Sequence, residues 1–331
     1  VRFAGAALLV LLSCFCFRKV DSPDIGFHLR AGAHILEGNG WPRKDPFSYA
    51  MSQHDYVDMS WGYQVLVRLT ESLGGAHALI LLHAGFVLAT ALLLWRTARI
   101  GTVGAAPFFV LAGLGILACE MRIESRPELL SYLLLAVVGM ILHEHVERRR
   151  SWLWALPLVF VFWANCHSLF ILGLLLVACC VVGTALERGS IDRRLTAWAI
   201  AGLAACFLNP YGVTGVCYPL TLLTRFEGTN PFHLAITEQF SPFDARVFEG
   251  ASLSRALPIW SFRCFAALAF VAAWNLARKG RFWPVLAILV LAWPATKMLR
   301  NTPVLVVAGL APTVWGLSMW ATLRGPRLEK S

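Results

Sequence analysis

The sequence predicts an all-α polytopic membrane protein of about ten transmembrane helices, with amphipathic juxtamembrane helices in its first outer loop. Three observations predict it. The first is composition: 58% of the 331 residues are hydrophobic and 15% are charged, where a soluble domain carries roughly 25% charged residues. That balance excludes a disordered chain, a nucleic-acid-binding arm and most soluble enzymes. The second is the gathering of the apolar residues into runs between short polar connections. The third is the side of the membrane on which the charges fall.

The runs are 3–17, 76–95, 103–119, 128–143, 152–165, 168–186, 195–208, 259–277, 282–298 and 303–323. The chain starts at Val1 rather than Met, and the first run lacks a basic leader and a small-residue cleavage site. It therefore reads as a first span trimmed at its start, not as a signal peptide. Runs 152–165 and 168–186 could form one bent helix, but Asn165 and His167 between them favour a break. No Gly/Ser linker, repeat or low-complexity stretch divides the chain, so a single membrane domain over 1–331 is expected. The nine cysteines lie in or beside apolar runs, without C-x-x-C spacing, and read as small packing residues.

Alternating spans can be tested against charge. With both termini in the cytosol of a bacterial inner membrane, 15 of the 29 Lys+Arg residues and 5 of the 19 Asp+Glu residues fall inside. The outer side is then neutral, and the whole formal charge of +10 belongs to the inner connections. This is positive-inside bias rather than the mark of a nucleic-acid partner.

The outer connections are longer, the largest being 18–75 and 209–258. In the first, 25–36 places Ile25, Leu29, Gly32 and Leu36 on one helical face, and 61–73 does the same with Trp61, Val65, Leu69 and Leu73. Both fit helices lying along the outer surface. Asp45-Pro46-Phe47-Ser48 between them reads as a turn or helix start.

Polar groups near a bilayer are costly and need a partner or a task. The first loop carries Asp21, Asp24 and His28 just beyond the first run. If Asp24 starts a helix, His28 shares its face. A carboxylate here could act as general base, or bind a divalent cation (Mg or Mn) that neutralises a diphosphate. The plainer reading makes Asp24 a helix cap and pairs Asp21 with Lys19 or Arg18. Between runs three and four stand Arg122 and Arg126. These cations violate the charge bias and suit bidentate phosphate binding, or else a local Arg–Glu network. Asn165 and His167 interrupt an apolar stretch, which is tolerated where backbone lines a cavity or is buried in protein. Asn209-Pro210-Tyr211-Gly212 is a helix stop with polar side chains at Asn209 and Tyr211. Lys297 and Arg300 add two cations between the last two runs. All of these residues fall on the outer side, and an acidic pole beside several cations at one lipid–water boundary suits a lipid phosphate or diphosphate.

These residues resemble the GT-C superfamily of polytopic glycosyltransferases, and more narrowly an uncharacterised bacterial branch of it. The resemblance covers about residues 20–305. It rests on Pro23-Asp24-Ile25-Gly26-Phe27-His28-Leu29-Arg30-Ala31-Gly32, on Asp45-Pro46-Phe47-Ser48 and Trp61, and on Arg126-Pro127. Later matches are Trp163-Ala164-Asn165 with His167, Asn209-Pro210-Tyr211-Gly212, Glu238-Gln239-Phe240-Ser241-Pro242 and Arg300-Asn301-Thr302-Pro303. It implies inverting transfer of a sugar from a polyprenyl-phosphate donor at the outer face of the inner membrane. Asp24 would be the carboxylate, as base or metal ligand, with Asp21 second. Arg122, Arg126 and Arg300 would hold the lipid phosphate, and His28 and His167 would orient donor or acceptor. Glu238 and Lys297 join the substrate-binding set. The first Asp stands three residues before Asp24 rather than two, and Ser60 precedes Trp61 where an acidic residue is expected, with Asp58 nearby. Two other readings stand beside this one. A transporter or flippase of a lipid-linked anion would place ionisable groups near the bilayer midplane and show an inverted repeat. A non-catalytic membrane subunit would keep the fold without the chemistry.

Overall fold

The computed structural model describes residues 2–20, 22–50, 52–99, 106–148, 150–224 and 236–324. They form a bundle of helices: α1 (Arg2–Cys16), α2 (Ile25–His34), α3 (Trp61–Ala98), α4 (Ala106–Cys119), α5 (Pro127–Arg148), α6 (Leu156–Ala164), α7 (Phe170–Arg188), α8 (Arg193–Ala205), α9 (Gly212–Thr224), α10 (Leu253–Arg278), α11 (Phe282–Lys297) and α12 (Thr302–Arg324). Each expected apolar run coincides with a helix over its described residues. The chain is a helical membrane protein by length and composition: Trp61–Ala98, Pro127–Arg148, Phe170–Arg188, Leu253–Arg278 and Leu299–Met319 are long and apolar enough to cross a bilayer. Gly5–Cys16, Leu153–Ala164, Gly212–Leu222 and Phe282–Lys297 are shorter apolar helices, so among the described residues five of the helices have the length and apolarity of a full span.

The expected break between runs 152–165 and 168–186 is present. Helix α6 ends at Ala164, where Asn165 turns its Nδ2 back to donate to the Val161 carbonyl at 2.7 Å. Helix α9 lies inside the second long loop, where the sequence reading placed no element.

The first loop folds as two helices, but with a different face on the second. In α2 the buried residues are His28, Ala31 and Gly32, while Leu36 is exposed. In the first half of α3 the buried residues are Tyr63, Gln64 and Val67, and Leu69 and Leu73 face outward. The cause is the crossing of α2 over α3. A Cβ at Gly32 would lie 2.2 Å from the Gln64 carbonyl oxygen, so only glycine permits this approach. Gln64 is tolerated inside because its Nε2 donates to Asp58 at 2.9 Å. The amphipathic half of α3 is divided from its long apolar half at Gly74 and Gly75, and Gly75 has φ +60.

Helices α10, α11 and α12 pack on one another and on α4 and α7, around Trp283, Phe262 and Phe265. Small residues set the spacing. A Cβ on Gly183 of α7 would meet the Trp283 Cα of α11 at 2.1 Å. Gly183→Ala is expected to force the two helices apart at a cost of about 1–3 kcal/mol. Thermal unfolding in detergent checks this, and parent-like melting would show that the pair separates freely.

The polar connections gather at two ends of the bundle. At one end Arg96 pairs with Glu144 at 3.2 Å, His145 meets Asp192 at 2.9 Å, and Arg281 pairs with Glu147. Glu187 there accepts the Trp283 backbone N–H at 2.9 Å, capping α11. At the other end, Arg43 donates to the Pro210 carbonyl at 2.7 Å, Trp61 reaches Asn165, and the 120–128 turn meets residues from the second long loop. The connections that the charge rule assigns to one side thus touch one another. All nine cysteines are free thiols.

Candidate functional site

The site lies at the second of these ends and is built from five separate segments. Pro127 opens α5 at the position where its missing N–H costs nothing, and places Glu128 in the first turn, where the helix dipole favours a carboxylate. Glu128 is buried and accepts a hydrogen bond from Arg122 Nη2 at 2.8 Å. Arg122, also buried, sits in the short turn Glu120–Arg122 and uses Nη1 to reach Glu238 Oε2 at 2.5 Å. The same Glu238 oxygen lies 3.9 Å from Arg126 Nη1. Arg126 Nε faces Glu124 at 2.9 Å and Asp24 at 3.5 Å. Arg300, from the α11–α12 turn, approaches Glu128 at 3.6 Å. Three guanidiniums and four carboxylates therefore form one ion-pair network.

Two imidazoles border it. His28 is a buried residue of α2, one turn after Asp24. Burial pushes its ring down to about 4, outweighing the Asp24 carboxylate, so it is neutral at pH 7. Its Nδ1 is buried and has no hydrogen-bond partner. The ring packs edge-on against Tyr63 at 5.3 Å. Tyr63 in turn donates to His83 Nε2 at 2.8 Å, because His83 Nδ1 is committed to the Leu79 carbonyl at 2.7 Å. The second imidazole, His167, is buried at the α6–α7 break. Its Nδ1 lies 2.9 Å from Ser131 Oγ, which also accepts the Trp163 indole N–H at 2.9 Å. Indole only donates, so Ser131 Oγ accepts from Trp163 and still holds His167 through Nδ1, which fixes the orientation of the ring.

Of the residues singled out from the sequence, Asp24, His28, Arg122, Arg126, His167, Glu238 and Arg300 come together here. Asp24 occupies the N-cap position of α2 without a side-chain cap bond, so its carboxylate is free for Arg126 and for solvent. Asp21 lies outside the described residues. Asn165, Asn209 and Tyr211 are occupied elsewhere. Asn165 accepts the Trp61 indole N–H at 2.8 Å and donates to the Leu208 carbonyl at 2.9 Å. Asn209 accepts the Tyr211 backbone N–H at 2.8 Å and donates to the carbonyls of Cys206 and Gly212. The Tyr211 hydroxyl donates to the Pro42 carbonyl at 3.1 Å. These three clasp the first loop to the ends of α6 and α8. Lys297 is exposed in the last turn of α11. Asp45 makes the expected turn, accepting the N–H groups of Phe47 and Ser48. Glu124 and Glu128 are the network members that sequence reasoning missed as site residues, although a carboxylate directly after Arg126-Pro127 at a helix start signals a need for a partner.

Asp58 stands apart from the network. It is buried, accepting from the Ser60 N–H at 3.0 Å and from Gln64 at 2.9 Å, and its Oδ2 has no partner. Burial pushes its carboxyl up to about 6, more than those hydrogen bonds lower it. A raised folded-state value means that the folded protein holds the proton longer than the unfolded chain. Stability is then greatest below the ordinary carboxylate range and declines as pH rises towards 6. Asp58→Asn is expected to remove that decline, a gain of at most about 3 kcal/mol at pH 8 that vanishes at pH 4. Melting curves of parent and variant across pH check it, and a pH-independent difference would count against it.

Asp24 and its described neighbours show no ready set of ligands for a divalent ion. The charged neighbour of Asp24 is a guanidinium, and among the described residues no three His, Cys, Asp or Glu side chains gather as a ligand group. No step below runs through a metal.

Two neighbouring cavities adjoin the network. An apolar crevice of about 570 Å³ runs between α1, α3, α4, α5 and α12, past Leu12, Trp95, Phe108 and Val306, and ends at Arg122 and Ile123. A chamber of about 450 Å³ with mixed walls lies beside it, lined by Arg18, Lys19, Ser22, His83, Glu124 and Ser125 together with apolar residues such as Phe15 and Ile80. The two share Val87, Ile123 and Leu129. No family model, curated protein or solved structure matches the chain.

Proposed function

We propose that this protein is a GT-C-type, lipid-dependent glycosyltransferase. It moves a sugar from a polyprenyl-phosphate donor to an acceptor at the outer face of a bacterial inner membrane, with both termini cytoplasmic. One observation carries the reading: the network of acids and arginines stands between an apolar crevice, which Arg122 lines, and a neighbouring chamber with charged walls, which Glu124 lines. An amphiphile with an apolar tail and an anionic head matches that pairing. The outward Leu69 and Leu73 of the first loop suit contact with the bilayer boundary.

In this reading Asp24 takes the proton from an acceptor hydroxyl as that oxygen attacks the anomeric carbon. The bond from that carbon to the phosphate oxygen breaks, the electron pair leaves with the lipid phosphate, and the configuration inverts. The half-exposed Asp24 carboxylate is open to an incoming acceptor, and Arg126 beside it fixes its position. Arg300, less engaged than Arg122, offers guanidinium N–H groups to the departing phosphate. Neutral His28, with an unengaged Nδ1, can accept a hydrogen bond from a sugar or acceptor hydroxyl. His167, held at Nδ1 by Ser131, can orient a hydroxyl of the donor or acceptor through its other ring nitrogen.

The test is a proteoliposome assay with purified protein and labelled polyprenyl-phosphate sugars. Labelled product, dependent on Asp24, is the expected result. No turnover with any sugar would overturn the proposal, and lipid movement across the bilayer in its place would favour a flippase.

A further inference from the structure

The network as folded carries one carboxylate more than it has guanidiniums. An incoming phosphate would be repelled unless one carboxylate gives way. Among the four, Glu238 is distinct. Glu128 is buried at a helix start, and among the described residues Glu124 and Asp24 form ion pairs with Arg126 alone. Glu238 places one oxygen against both Arg122 and Arg126, and its side chain is one-third exposed at 33%. It also comes from a different part of the chain, on the short turn Thr237–Gln239. The backbone just after it is tied down. Phe240 O accepts the Leu299 N–H at 2.8 Å, Ser241 Oγ donates to the Thr296 carbonyl at 2.8 Å, and Arg263 Nε donates to the Pro242 carbonyl at 2.9 Å. Only the side chain need move, and a cavity of about 160 Å³ bounded by Arg122, Glu238, Phe262 and Arg300 lies beside it. The buried Arg122 Nε–H has no acceptor, so this guanidinium has a donor to spare for a second anion oxygen.

We propose that the Glu238 carboxylate is a resident competitor, occupying the place of the donor's phosphate between Arg122 and Arg126, and that it must swing aside for the donor to bind. This rests on the lipid-phosphate reading above. Its role is to set donor affinity. If Glu238 holds the arginines about 90% of the time, the apparent Kd is about tenfold weaker than that of the open site.

The experiment titrates the full-length protein in nanodiscs with a short-chain polyprenyl monophosphate, and separately with inorganic phosphate, reading tryptophan fluorescence. Glu238→Gln is expected to tighten binding of both about tenfold, and Glu238→Asp, which withdraws the carboxylate by one methylene, to tighten it less. Glu124→Gln removes the same charge from Arg126 alone and is expected to change affinity by less than about threefold. Unchanged or weaker binding in Glu238→Gln overturns the proposal, as does equal tightening in Glu124→Gln. Sugar transfer separates this from the parent reading. Absent transfer with the tenfold ratio intact sinks the transferase alone, and intact transfer with a ratio of one sinks the competitor alone.

Discussion

Asp24→Asn is expected to lower sugar transfer by about 10²–10⁴-fold, the range for removal of a positioned general base, while leaving folding and lipid binding intact. The substitution is chosen because asparagine caps a helix about as well as aspartate. If Asp24 served only as the N-cap of α2, the variant would work like the parent. The carboxylate makes no cap bond and is half exposed, so folding does not depend on its charge. The decisive measurement is the kcat ratio in proteoliposomes, with a melting curve of each protein beside it. Full activity in a well-folded Asp24→Asn would remove Asp24 from the reaction. A matched loss of activity and melting temperature would recast it as a structural residue.

Arg122→Ala is expected to have the largest effect on stability, about 3–5 kcal/mol. The guanidinium is buried between Glu128 and Glu238, and removing it leaves a buried carboxylate facing no cation except Arg300 at 3.6 Å. Cavity formation at the end of the apolar crevice adds to the cost, since Arg122 lines it. Removing the partner's charge as well should restore part of the loss, because a neutral pair is cheaper than an orphaned charge. Arg122→Met combined with Glu128→Gln is therefore expected to melt above Arg122→Ala. Equal melting of parent and Arg122→Ala in detergent would show that the network contributes nothing to the fold.

The site was legible where charge at a membrane boundary needs explaining. Asp24, Arg122, Arg126 and Arg300 are costly there in any fold; Asp24 and Arg126 pair with each other, while Arg122 and Arg300 share Glu128. Asn165, Asn209 and Tyr211 carried the same outward signal, yet their partners are backbone carbonyls such as those of Leu208, Cys206 and Pro42, which have no signature in sequence. The buried face of the 61–73 helix was misread for a related reason. Periodicity assumes that leucine goes in and glutamine stays out. Here Gln64 and Tyr63 go in because Asp58 and His83 receive them, and Leu69 and Leu73 stay out. Helix positions were legible throughout the apolar runs, because hydropathy needs no tertiary context. Whether a short run crosses the whole bilayer depends on tilt and neighbours, which the run itself does not encode.

The bond between Arg122 and Glu238 joins residues 116 positions apart. A ribosome adding about 5–20 residues per second needs about 6–23 s to cover that distance. Through that interval Arg122 has left the ribosome, while the acid that completes its pairing has not yet been made. The nascent chain must keep this guanidinium in water, or satisfied by Glu128 alone, until the second long loop emerges. Slowing or truncating synthesis between these two points should therefore expose the half-built bundle to the membrane's quality-control proteases, even though every helix up to that point has already been made.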